Sequence, residues 1–357
     1  MEWLFRSEFD QLTVVALWSI AGVLVTTLIL FVYTIGLRFV TVSSARRRHA
    51  FISIWREIFA EAVLSADFAA NGDLPKVSKG NQIFLLEEWN QVRSIVEGTA
   101  AENLIAIAKR TDIPVIAARL IKRHRIQSKI LAVQTFGHLH DRSRRDEIFE
   151  LVLHDNTALS IMAANALVDI DADFAIEKIV PMINERRDWP KNRISILLRT
   201  AGSARISEPV YRAIRAAEDN DKAFLLQFAR LVEPEVLDAL LEDLIRGTNN
   251  PGVLNAALKL VSGFKGVPRI ATLTQHAAWF VRMQAAKVLG RVGQREHLSL
   301  LESLLDDEEW WVRYRAAQSI VSLPFIGPNE LRSLRDRQTD PYAADILQQS
   351  FAEVGIA

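Results

Sequence analysis

The chain has 357 residues, of which half are hydrophobic and about a quarter are charged, and its formal net charge is zero. This composition differs from that of disordered proteins, and the neutral balance argues against a dedicated nucleic-acid-binding protein. The chain contains no cysteine, which excludes disulfide bonds, thiolate zinc sites and cysteine nucleophiles.

An uncharged, apolar segment occupies residues 11–37. As a helix it would be about 40 Å long, which is sufficient to cross a hydrocarbon core of about 30 Å. We interpret it as an uncleaved transmembrane anchor. A signal peptide would have a basic start and a shorter apolar run, whereas residues 1–10 contain three acidic residues and one arginine.

Basic residues follow the apolar segment: Arg38, Arg46, Arg47 and Arg48. An excess of Lys and Arg marks the cytoplasmic side of a membrane span. The sequence therefore predicts a single-pass protein of the inner (cytoplasmic) membrane, with the short N-terminus (residues 1–10) outside and the remainder of the chain in the cytoplasm.

Residues 38–100 are interpreted as a juxtamembrane helical segment. Apolar residues recur at helical spacing between Ser43 and Phe68, for example at Phe51, Ile54 and Ile58. This spacing predicts a separate amphipathic helix that follows the membrane span.

A unit of about 31 residues recurs from about residue 129 to the C-terminus, and we assign residues 101–357 to one repeat domain. Small residues fall in register, and large residues follow four positions later: Ala132, Ala163, Ala285 and Ala316, then Phe136, Leu167, Leu289 and Ile320. A fixed period of this length indicates stacked supersecondary units, and no strand-like alternation is present. The sequence thus predicts an all-α fold, a single transmembrane helix followed by an α-solenoid of about seven to nine helical hairpins. Alanine pairs such as Ala285-Ala286 are expected at close helix–helix contacts.

Two segments, Trp279–Gly290 and Trp311–Ile320, resemble HEAT repeats, in particular the short bacterial kind also seen in phycobilin lyases. The resemblance implies a fold and a binding habit rather than an activity. It implies that Asp306 or Asp307 in the turn pairs with Arg313 of the second helix, and it gives Arg282 the equivalent place in the preceding repeat. His276 replaces the acid there, so the ladder of pairs is expected to break at that repeat.

A basic stretch lies between Asp112 and Asp141, where no acidic residue occurs: Arg119, Lys122, Arg123, Arg125 and Lys129. Helical spacing predicts that the first three share one helix face. Two interpretations stay open with equal weight. The stretch is either a contact for anionic lipid or an acidic partner, or it is a solvated helix face.

Two adjacent tryptophans, Trp310 and Trp311, follow an acidic run and open a late repeat helix. We expect Trp311 to pack in the core, as we expect of Trp279 at the start of the preceding repeat helix. Trp310 is expected nearer the surface, where a tryptophan with an acidic rim would be an interface anchor.

No catalytic motif is present, so the sequence predicts a protein that is not an enzyme and holds no cofactor or metal. We expect a membrane-tethered scaffold or accessory subunit of a bacterial inner-membrane complex, with a membrane-bound protein partner. Resemblance to membrane-anchored chains that accompany envelope-polysaccharide glycosyltransferases implies such an enzyme or export system as the client. The alternatives are a bilin-lyase-like enzyme of small molecules and a sensor of anionic lipid.

Overall fold

The computed structural model describes residues 2–65, 74–262 and 267–355, apart from the side chains of residues 2–12, 36–37, 39–47 and 267. All regular secondary structure within these ranges is helical, which confirms the predicted all-α class. Two compact units divide the chain, Met1–Leu139 and His140–Ala357. The predicted domain boundary after residue 100 falls inside a helix, and the predicted domain division stays a prediction.

The first helix, α1 (Glu2–Leu64), is 63 residues long, which corresponds to about 95 Å. Its segment Thr13–Ile35 is long and apolar enough to span a membrane, and its side chains are exposed. The prediction of a separate helix from Ser43 is wrong, because α1 continues through this position. No proline or glycine occurs between Leu37 and Leu64 to interrupt it. The predicted end at Phe68 lies outside the described residues.

The last turns of α1 belong to the core of the first unit. Trp55, Phe59 and Ala62 are buried where α1 packs on α2 (Gln82–Arg93) and α3 (Gly98–Arg110). Ile54, which the sequence placed on the buried face, is exposed. The two aromatic side chains, which have more apolar area to bury, take the inward positions instead. The unit is completed by α4 (Ile113–Ile121) and α5 (Ile126–His138).

The second unit contains seven successive helix pairs within its described residues. In chain order these helices are α6 (Arg145–Val152), α7 (Thr157–Ile170), α8 (Ala172–Met182), α9 (Lys191–Ala201), α10 (Ser203–Ala216), α11 (Asp219–Leu225), α12 (Pro234–Gly247), α13 (Pro251–Leu258), α14 (Val267–Thr272), α15 (Trp279–Val292), α16 (Leu298–Ser303), α17 (Trp310–Ser322), α18 (Pro328–Asp336) and α19 (Pro341–Glu353). The second helices of neighbouring pairs pack on one another from α11 to α19.

Local sequence explains where several of these helices begin. Side chains of Asn156, Asp171, Asn250 and Asp340 accept hydrogen bonds from backbone N–H groups in the first turns of α7, α8, α13 and α19. Proline occupies the first turn of α12, α13, α18 and α19, where its missing N–H is not needed. These short-range signals indicate from the local sequence where the helices of the hairpins begin.

The repeat register of the sequence is confirmed by burial. All eight residues that define it are fully buried: Ala132, Ala163, Ala285, Ala316, Phe136, Leu167, Leu289 and Ile320. Helices α15 and α17 are in close contact at Gly290, where a Cβ would lie 2.6 Å from Cβ of Ser319. Small residues therefore set the distance between neighbouring second helices.

Candidate protein-interaction surface

An arginine–aspartate pair links two consecutive repeats. Arg282 of α15 donates from Nε and Nη2 to the two carboxylate oxygens of Asp307 at 2.7 and 2.8 Å. The two side chains are only 10% and 7% exposed. Arg282 also donates from Nη1 to the carbonyl oxygens of His276 and Ala277 at 3.0 and 3.1 Å. The pair therefore joins the turn before α17 to the turn before α15.

Arg313 occupies the equivalent place in α17 but has a different partner from the one predicted. Its Nη1 donates to the backbone carbonyls of Asp307 and Glu308 at 2.7 and 3.1 Å. The Asp307 carboxylate binds Arg282 of the preceding repeat, and Asp306 is exposed. The predicted pairing of either aspartate side chain with Arg313 is therefore wrong, because each arginine binds the carbonyls of its own turn.

His276 keeps the hydrogen bond of the turn but, lacking a carboxylate, forms no pair like that of Asp307 with Arg282. Its Nδ1 accepts from the N–H of Ala278 at 3.0 Å, as Oδ1 of Asp307 accepts from the N–H of Glu309 at 3.0 Å. His154 makes the same contact with the N–H of Asn156, at 2.9 Å. In each case the next repeat helix begins three residues after the acceptor. Histidine thus replaces aspartate as the hydrogen-bond acceptor in the turn. Only the carboxylate of Asp307 also forms an ion pair with an arginine of the preceding repeat.

A second link between repeats, which sequence reasoning missed, surrounds Asp188. Arg186 donates to both Asp188 oxygens at 2.9 Å, and the hydroxyl of Thr157 donates to one of them at 2.7 Å. The Arg186 hydrogen bond lowers the pKa of Asp188 below its ordinary value. Nearby, Trp189 Nε1 donates to the Ser160 hydroxyl at 3.1 Å. The signal in the sequence is the separation of Thr157 and Asp188, which is one repeat period.

Aromatic side chains are exposed at the start of two adjacent second helices. Trp279 is 36%, Trp310 42% and Trp311 55% exposed. Trp310 stacks on Tyr314, with ring centroids 5.0 Å apart, and its edge-on contact with Trp311 is at 4.7 Å. Trp279 meets Phe280 edge-on at 5.8 Å. We refer to these five residues as the aromatic row.

The expected core positions of Trp279 and Trp311 are wrong. Val281 and Val312, fully buried, face inward at the start of α15 and α17. Each residue along a helix rotates by about 100°, so Trp311, one residue before Val312, and Trp279, two residues before Val281, are turned toward the surface. Exposed acidic residues, Asp306 and Glu308, precede Trp310 in the turn. The role of Trp310 as an interface anchor stays a prediction.

The basic stretch of the first unit does not form one helix face. Helix α4 ends at Ile121, so Lys122 and Arg123 lie in the loop that leads to α5. Arg119 lines a cavity of about 410 Å³, and Arg125 lines one of about 480 Å³. Four of the five basic side chains are exposed, and Lys129 is half-buried. Cations at the C-terminal end of α4 are favoured by its dipole, whatever they bind.

The basic residues that follow the apolar segment differ in their surroundings. Arg48 pairs with Glu87 of α2 at 2.7 Å and lies over the Phe84 ring at 5.1 Å from its centroid. Its charge is therefore partly compensated within the first unit. Arg38 is exposed, and the side chains of Arg46 and Arg47 lie outside the described ones.

Comparison with known proteins identifies repeats in the C-terminal third of the chain. The family model of HEAT repeats matches residues 237–321 and 267–353. No curated protein sequence matches the chain. A similar solved structure is the crystal structure of an engineered protein from the Northeast Structural Genomics Consortium. It is 14% identical, the match covers 84% of this chain and 78% of that one, and the TM-score is 0.30. The similarity to HEAT repeats therefore extends over residues 237–353.

Proposed function

We propose that this protein is a membrane-tethered scaffold, an accessory subunit of an inner-membrane complex that docks a membrane-bound protein through its repeats. The observation that carries the proposal is the aromatic row on α15 and α17, whose three tryptophans are exposed on HEAT-like repeats. Repeat proteins of this kind generally present extended binding surfaces. Tryptophan and tyrosine are enriched among the residues that dominate binding energy at protein interfaces.

The apolar segment of α1 supports the membrane tether. A tether raises the local concentration of a membrane-bound partner, so that modest affinity is sufficient for stable association. The uninterrupted helix between Thr13 and the buried Trp55 would connect the membrane to the first unit without a flexible linker. A polysaccharide glycosyltransferase or export system is the client that the resemblance of the sequence suggests.

Photo-crosslinking in native membranes tests the docking surface. A photoreactive residue is placed at Trp310 or Trp311 of the full chain. The control position is Leu153, an exposed residue directly after α6. We expect both tryptophan positions to give adducts with one integral-membrane protein and Leu153 to give none. Adducts with lipid alone, or equal yield from all three positions, would contradict the docking surface.

Protease protection tests the membrane topology. Tags at residue 1 and residue 357 are exposed to external protease in intact cells. Because basic residues follow the span, we expect only the N-terminal tag to be cleaved. Cleavage of the C-terminal tag would overturn the orientation.

Binding of anionic lipid by the basic stretch is the second candidate function. The exposure of Arg119, Lys122 and Arg123 favours it, since each basic residue near an anionic surface contributes about 1 kcal/mol. Reversal of these three charges should reduce protection of the α4–α5 loop by anionic vesicles, measured by hydrogen exchange. Equal protection in the variant and the parent chain would eliminate this function.

A further inference from the structure

A long interval of the second unit lacks acidic residues. No Asp or Glu occurs between Asp243 and Glu296, whereas eight Lys or Arg residues do, in a chain whose net charge is zero. The interval contains α13, α14 and α15, and α17 is also free of acidic residues. Such segregation produces a local positive potential that the overall charge conceals.

Several of these cations have partners in the protein. Arg246 pairs with Glu242 at 2.5 Å, Arg282 with Asp307, and Arg295 with Glu330 at 3.1 Å. Arg269 donates to the carbonyl of Ile245 and to Asn249 at 3.3 and 3.2 Å. These acceptors of Arg269 are neutral. Among the described residues, Lys259, Lys287 and Arg291 also have no ion pair, and neither has Arg315 of α17.

These four residues, which we call the basic cluster, lie on adjacent second helices. Lys259 follows α13, Lys287 and Arg291 are one turn apart on α15, and Arg315 is on α17. Helix α15 packs on both α13 and α17. Arg291 Nη2 donates to the carbonyl of Val261 at 2.8 Å, which holds its guanidinium at the end of α13.

No carboxylate in the described part of the chain forms an ion pair with the basic cluster. Burial, followed by the nearby charges of Arg315, Arg291 and Lys259, lowers the pKa of Lys287 below its ordinary value. The Nε of Arg315 is buried without a hydrogen-bond partner, while its Nη1 donates to Gln318 at 2.8 Å. The neighbouring carboxylate of Glu353 accepts from Tyr314 and Gln318 rather than from Arg315. The site thus has unused capacity for an anion.

We propose that the basic cluster binds carboxylate side chains of an acidic segment in the protein partner that docks on the aromatic row. The inference rests on the proposed scaffold function and specifies the partner's chemistry. Trp279, Met283 and Lys287 are spaced by four and follow one another along one face of α15. A segment with apolar anchors at one end and carboxylates at the other matches this order.

A peptide fits better than a nucleic acid, although aromatic and basic side chains together also suit single-stranded chains. The exposed acidic residues Asp306 and Glu308 precede the aromatic row in the turn before α17. They would repel a polymer that is charged at every unit, whereas a peptide can place its carboxylates at the basic cluster alone.

Charge reversal in the crosslinking experiment tests the inference. The full chain carries the photoreactive residue at Trp310 together with Lys287→Glu and Arg291→Glu. The matched control carries Arg193→Glu and Arg199→Glu, two exposed residues of α9. Because charge-assisted contacts are lost, we expect the partner adduct to fall by about tenfold or more in the first variant only. The crosslinked partner peptide should be rich in Asp and Glu.

The outcomes separate the inference from the function it rests on. An unchanged yield of the partner adduct would overturn the acidic-segment inference and leave the docking surface intact, whereas absence of any partner would overturn both. If charge reversal prevents folding, the neutral variant Lys287→Gln with Arg291→Gln is used instead. We expect the same loss of partner adduct in this variant. Adducts with RNA or anionic lipid, in place of an acidic peptide, would also overturn the inference.

Discussion

A single substitution in the Arg282–Asp307 pair should destabilise the contact between the two repeats that it joins. Replacing Asp307 with Asn removes the buried counter-charge of the guanidinium and leaves only the exposed Glu308, at 3.4 Å. Breaking a buried pair typically costs about 3–5 kcal/mol, and the remaining contact with Glu308 should reduce this cost. We expect Asp307→Asn to speed amide hydrogen exchange in α15 and α17. Asp306→Asn is the matched control, because Asp306 is exposed and outside the pair. Equal exchange in both variants would contradict a structural role for the pair.

Asp188 should make stability depend on pH in the acid range. Its pKa is lowered mainly by the Arg186 hydrogen bond, so its contribution is fully present above the unfolded value of about 3.9 and is lost as pH falls through the folded value. We expect the urea midpoint of the full chain to fall between pH 5 and pH 3, and to fall less in Asp188→Asn. Glu185→Gln, an exposed neighbour, should retain the parent's dependence. An equal fall in Asp188→Asn would show that the link contributes nothing.

At the scale of the helix, α1 carries the prediction of membrane insertion. A charge at the centre of a membrane span costs about 2.5–3.5 kcal/mol, and Leu24 is the central residue of Thr13–Ile35. We expect Leu24→Arg to reduce the fraction of protein that resists alkaline carbonate extraction. Leu64→Arg introduces the same charge at an exposed position of the same helix and should have no effect. Equal extraction of the two variants would argue against a membrane span.

The contact between α15 and α17 requires glycine at position 290. The Cβ of an alanine there would also lie 2.8 Å from the Ser319 Cα, a backbone atom that cannot rotate away. Overpacking of this kind costs about 1–3 kcal/mol, so Gly290→Ala should lower the unfolding temperature. Gly247→Ala at the end of α12 meets no atom within 4 Å and should be neutral or stabilising. An equal change of the unfolding temperature in both variants would mean that α15 and α17 can move apart at no cost in stability.

At the scale of the whole molecule, stacked repeats should confine a destabilising substitution to its surroundings. Repeat stability is approximately a sum of repeat and nearest-neighbour terms. Asp307→Asn should therefore raise hydrogen exchange in α15 and α17 while α6 and α7, in the same unit, keep the exchange of the parent chain. Loss of protection throughout the unit would indicate global rather than local cooperativity.

The wrong predictions for individual residues have one physical cause, which is that tertiary packing decides the surroundings of a side chain. Trp279 and Trp311 resemble core residues by composition, yet helix rotation relative to Val281 and Val312 exposes them. The Asp307 carboxylate has two arginines within reach in the repeat pattern. Only the approach of neighbouring turns determines that it binds Arg282.

Local signals in the sequence determined the helices and the repeat period, because helix caps and the spacing of small residues act over short distances. They also determined the eight fully buried positions of the repeat register, the first of which is Ala132 and the last Ile320. They also determined the apolar segment, whose length and lack of charge are properties of composition. The lack of proline and glycine after Leu37 permits one continuous helix, but only the tertiary structure decided that the end of α1 enters the first unit, where Trp55 and Phe59 are buried. It also decided which cations remain unpaired in the basic cluster, because pairing depends on distances between side chains that are far apart in the chain.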